Sequence, residues 1–168
     1  AEEPSAIGEP PEDREALRDA GEPTSAEGWY ERGMEWEHRG DHDRAIQAQS
    51  RAISMQPGHA RALNARAWNR QAAGDLEGAL ADYSSALLAD PEWTDTWIRR
   101  GKLFLRLSRD DEALADFERA LQLKPKSAKA LTHRGRVHLS RGQYDEALSD
   151  FDRALKISPG YSLAKQSR

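Results

Sequence analysis

The sequence predicts an all-α solenoid of stacked antiparallel helix pairs, on three observations. The first is an uninterrupted 34-residue period: Pro57, Pro91, Pro125 and Pro159 keep that step, as do Ala45, Ala79, Ala113 and Ala147, and Ala52, Ala86, Ala120 and Ala154. The second is the alternation of large and small columns, with Trp29/Leu63/Trp97/Leu131 and Gln49/Tyr83/Phe117/Phe151 beside Gly33/Ala67/Gly101/Gly135. The third is punctuation, because glycine and proline recur where a helix must stop. Together they divide the chain into repeats 26–59, 60–93, 94–127 and 128–161.

Residues 1–25 read as an acidic, proline-rich tail without the apolar side chains to build a core. Inside it, Pro11, the acids after it, Ala16, Leu17 and Gly21 have the order of a short helix over 11–20. Each repeat then holds a first helix (A), expected near 27–39, 61–73, 95–107 and 129–141. A second helix (B) is expected near 43–56, 77–89, 111–123 and 145–157. Gly40, Gly74 and Gly142 occupy the A-to-B turn, where a left-handed residue ends helix A. Ser108 replaces glycine in the third turn, which is therefore either strained by up to ~1 kcal/mol or built differently. Asp41, Asp75 and Asp110 stand near the start of helix B and complement its dipole. Residues 162–168 form a short remnant, too brief for a full capping helix.

Composition excludes several function classes. The 168 residues contain no cysteine, which removes disulfides, thiolate metal sites and thiol nucleophiles. No apolar run reaches the roughly 18 residues of a membrane span. Mean hydropathy is −0.88, low for a globular domain, as a thin solenoid core allows. The net charge of −4 argues against nucleic acid as partner, and it conceals a gradient. Residues 1–25 carry −6, residues 26–93 carry −4 and residues 94–168 carry +6.

The W/L…G/A…G…A…Y/F…A…P pattern over residues 26–159 resembles the tetratricopeptide repeat family. The resemblance implies a right-handed superhelix with helix A on the concave face, and a role in binding proteins rather than catalysis. Gln49 departs from the pattern where an aromatic is usual. His42 and Asp110 depart where a large apolar residue is usual.

Arg32, Arg66, Arg100 and Arg134 form one further column, and Asp82, Asp116 and Asp150 another. The two co-occur in repeats 2–4, which predicts structural Arg–Asp pairs between helices. Arg32 lacks its acid, Ala48 standing there, and is expected to be free.

Helical spacing places a set of helix A residues on the face opposite helix B. Tyr30, Met34, Asn64, Trp68, Ile98, Lys102, Arg106, Lys129 and Arg136 form the candidate peptide-binding groove. Apolar anchors ringed by charge favour a peptide, and the basic second half favours an acidic, apolar-containing one. The family's chaperone-tail clamp uses Lys/Asn/Asn/Lys/Arg. Those columns here read Tyr30, Met34, Ala65, Asp95 and Arg99 in repeats 1–3, and Asn64, Trp68, Arg99, Lys129 and His133 in repeats 2–4, so the set does not map.

The functional expectation is a non-catalytic interaction scaffold or adaptor, without cofactor or metal. His38 and His42 are separated by Gly40 and do not share a helix face. The alternative is a self-assembling homo-oligomer whose groove or ends bind its own subunits or its acidic tail. The tail over 1–25 either caps the outer face of repeat 1 with its 11–20 segment, lies in the groove, or stays disordered. The lack of cysteine and the start at Ala1 point to an exported, periplasmic location in a bacterium.

Overall fold

A computed structural model describes residues 21–160 and Ala164; the expected helix over 11–20 and most of the 162–168 remnant lie outside them. The described residues form eight helices and no strand. They are α1 (Ala26–His38), α2 (His42–Met55), α3 (Ala60–Ala72), α4 (Leu76–Ala89), α5 (Thr94–Arg106), α6 (Asp110–Leu123), α7 (Ala128–Ser140) and α8 (Tyr144–Ile157). Each odd helix packs on the even helix after it, and each even helix packs on the next odd one. The result is an all-α helical repeat solenoid, and eight helices are compatible with four repeats.

The helices begin one residue before the expected positions, because the cap lies just outside the apolar pattern. Asp41 and Asp75 are N-caps, their carboxylates accepting from Arg44 N and Gly78 N, both at 2.9 Å. Ser25 and Ser127 cap α1 and α7 with their hydroxyls. Asp110 sits one position later than Asp41 and Asp75, as the first residue of α6 behind Arg109.

All four A-to-B turns share one geometry. The turn residue is left-handed, φ +77° at Gly40, +89° at Gly74, +57° at Ser108 and +73° at Gly142. The next N–H donates five residues back, as in Asp75 N to Arg70 O at 2.8 Å and Arg109 N to Phe104 O at 2.9 Å. The serine turn is thus built like its glycine counterparts and bears the left-handed strain.

The small column exists to admit the large one. A Cβ on Gly101 would stand 2.7 Å from Phe117 Cε1, and one on Gly135 2.7 Å from Phe151 Cε1. Phe117, Phe151 and Tyr83 are fully buried as a result. The principal apolar cluster starts at Ala67 and runs through repeats 2–4.

The Arg–Asp pairs lie within each repeat. Arg66, Arg100 and Arg134 each hold Asp82, Asp116 and Asp150 through two nitrogens, at distances from 2.7 to 2.9 Å. The remaining nitrogen crosses to the previous repeat, Arg66 to Ser50 Oγ and Arg100 to Ser84 Oγ, both at 3.0 Å. Burial pushes the Asp116 carboxyl above its ordinary value although Arg100 pulls it down, while the bond to Asp150 raises Arg134. Arg32 is not free, contrary to expectation. Its Nη2 donates to Gly21 O at 2.6 Å, so the segment before α1 takes the place of a previous repeat.

Candidate functional site

α1, α3, α5 and α7 present their free faces side by side, and two recesses lie between them. The first, about 340 Å³, is lined by Tyr30, Met34 and Glu37 of α1, Arg61, Asn64, Ala65 and Trp68 of α3, and Trp93 and Arg99. The second, about 260 Å³, is lined by Trp68, Gln71, Tyr83, Asp95, Ile98, Arg99, Lys102, Lys129 and His133. Trp68 and Arg99 belong to both and form the partition, the guanidinium 5.0 Å above the indole centroid. Trp68 remains 39% exposed, large for an indole and enough to meet a partner.

Eight of the nine expected groove residues fall at these recesses or beside them. Arg136 lies next to Lys102 and His133, on both of which its charge acts. Arg106 is exposed but lines neither recess. Two residues expected to meet solvent are buried instead. Ile98 belongs to the apolar cluster, and Asn64 donates to the fully buried Thr96 Oγ1 across the repeat junction. The next A helix covers them, which spacing along a single helix does not reveal.

Electrostatics differ between the recesses. Beside the first, Glu27 accepts from Arg61 Nη2 at 2.5 Å and lies 3.2 Å from His59 Nε2. His59 Nδ1 accepts from Ala62 N at 3.3 Å, so the ring proton is on Nε2. In the second, among the described residues, no carboxylate pairs with Arg99, Lys102, Lys129 or Arg136. Burial, then Arg99, Lys129 and Arg136, pushes the Lys102 ammonium below its ordinary value. Burial and the charges of Lys102 and Arg136 bring His133 down to about 4, so its imidazole is neutral near pH 7. His133 stacks on Phe117 with centroids 5.6 Å apart, and its Nδ1 is buried without a partner.

Arg99, Tyr83 and His133 were not among the expected groove residues. Arg99 was legible, since it shares a face with Asp95 and Lys102 at helical spacing. Tyr83 reaches the recess from helix B, and no periodicity within helix A points to it.

A tetratricopeptide repeat family model matches residues 14–60, 64–128 and 98–162. No curated protein matches the chain. Among solved structures, MamA aligns with a TM-score of 0.79 at 18% identity, over 89% of this chain and 86% of that one. A tetratricopeptide repeat protein from Parabacteroides merdae ATCC 43184 aligns with a TM-score of 0.79 at 25% identity, over 92% of this chain and 61% of its own. The first TPR of Spaghetti (RPAP3), bound to HSP90 peptide SRMEEVD, aligns with a TM-score of 0.68 at 22% identity, over 72% of this chain and 96% of that one.

Proposed function

The chain belongs to the tetratricopeptide repeat family, and from that premise we propose that it is a non-catalytic scaffold whose concave face docks a protein segment bearing acidic and apolar side chains. Proteins of this repeat type are commonly interaction scaffolds, and one structural neighbour is bound to a peptide. The observation that carries the reading is the partition itself. An exposed Trp68 stands between two recesses, beside four cations without a carboxylate partner among the described residues. Such an anchor with a charged surround has the composition of a binding hot spot. No helix among the described residues is long and apolar enough to cross a membrane.

The test is affinity capture from source lysate with the wild-type chain and a Trp68→Ala/Arg136→Glu variant. The variant is expected to lose the captured proteins, with losses growing at low salt where the charges act farthest. Recovery of the same set by the variant sinks the groove as the docking face.

A second reading, self-assembly, is favoured by one observation. Tyr144 and Leu148, one turn apart on α8 of the last described repeat, are 70% and 45% exposed. Light scattering across concentrations decides it, because a monomer at every concentration rules out assembly as the function.

A further inference from the structure

The second recess has a buried polar wall that the chain itself leaves unsatisfied. Tyr83 is fully buried and its hydroxyl completes no hydrogen bond, although the Arg99 guanidinium lies against it. His133, 6% exposed, leaves Nδ1 in the same condition. A buried polar atom without a partner is destabilising, and both of these belong to side chains lining one recess.

The cations around them are in excess. Arg99, Lys102 and Lys129 line the recess, Arg136 stands beside Lys102, and Asp95 is the acid in the lining. The charged groups that act on Lys102 are all positive. Trp68 holds the Arg99 fork against its face, so that group is already oriented.

We propose that this recess is a binding site for a phosphate monoester dianion, carried as a phosphoserine or phosphothreonine side chain in the segment that docks in the groove. The inference rests on the groove reading and narrows its partner. A carboxylate brings one charge and two oxygens, which leaves most of the cations uncompensated. A phosphorylated side chain brings close to two charges and three acceptor oxygens, and meets the Arg99 fork and the Lys102 and Lys129 ammoniums together. A volume of about 260 Å³ admits a side-chain phosphate. Trp68 offers apolar surface to the residues flanking it.

The experiment uses the full chain, immobilised, and three degenerate octapeptide pools that differ at one fixed central residue: phosphoserine, aspartate or serine. The phosphoserine pool is expected to be retained about tenfold over the aspartate pool. Lys102→Met and Lys129→Gln, both at exposed positions and checked for helical circular dichroism, are each expected to erase that preference. Equal retention of the phosphoserine and aspartate pools overturns the phosphate assignment and leaves the groove reading standing. A preference that survives both variants places the phosphate elsewhere and also overturns it. Failure to retain any pool sinks the groove reading along with it.

Discussion

The junction between repeats 1 and 2 and the junction between repeats 3 and 4 are built on equivalent positions with opposite chemistry. At the first, Gln49 and Asn69 are fully buried, with Asn69 Nδ2 donating to Glu37 Oε2 at 2.8 Å and to Gln49 Oε1 at 3.3 Å. His42 Nδ1 meets Asn69 Oδ1 at 2.8 Å, and Gln49 Nε2 is left without a partner. At the other junction the equivalent residues are Phe117 and Val137, both fully buried in the apolar cluster. The backbone is indifferent to the exchange. What changes is the source of cohesion, directional bonds at one end and area removed from water at the other.

The comparison breaks most visibly by deletion. Phe117→Ala is expected to cost about 4 kcal/mol in urea unfolding, from lost burial and a cavity that Gly101 cannot fill. Asn69→Ala is expected to cost about 2 kcal/mol, since it strands Gln49, Glu37 and His42. The joint change Gln49→Phe with Asn69→Leu removes the stranded amide, leaves only the half-buried Glu37 and His42 without their partner, and is expected to cost less than Asn69→Ala in the same unfolding. Gly33 already leaves the space that Gly101 leaves for Phe117. A larger loss from Asn69→Ala than from Phe117→Ala reverses the reading of the two junctions.

The next effect is acid sensitivity at the apolar end. His133 is held at about 4 in the folded chain, below its unfolded value near 6.5. Between those values the unfolded chain binds a proton that the folded chain refuses. Stability present above pH 6.5 is therefore lost as pH falls towards 4, by about 3 kcal/mol in total. His133→Gln should flatten that part of the stability–pH curve, and an unchanged slope refutes the assignment.

The smallest effect concerns the third turn. Ser108 holds φ +57° where the other turns have glycine. Ser108→Gly should raise stability by about 1 kcal/mol or less, seen as a higher melting temperature. A decrease shows that the serine side chain does something the strain argument omits.

The solenoid was legible because period, small column and stop signals agree across every repeat. The Arg–Asp pairs were legible for the same reason, two columns rising and falling together. The helix starts came out one residue early because the caps Asp41 and Asp75 lie outside the apolar rhythm. The Asn69 network was invisible, since it joins single departures in neighbouring repeats, each of which reads alone as a defect. In the groove, Lys102, Lys129 and Trp68 followed from helical spacing. Ile98 and Asn64 did not, because their burial depends on the neighbouring helix, and Tyr83 came from the other helix of its repeat.

The third nitrogen of the arginine ladder has a mechanical consequence. Bonds to Asp82 and Asp116 stay inside a repeat, whereas bonds to Ser50 and Ser84 bridge successive repeats. When a load opens the superhelix, the carboxylate grips hold each helix pair as a stiff unit, and the neutral serine contacts yield first. The molecule then lengthens as a chain of rigid links with soft joints. The buried junctions beneath those contacts then carry the load.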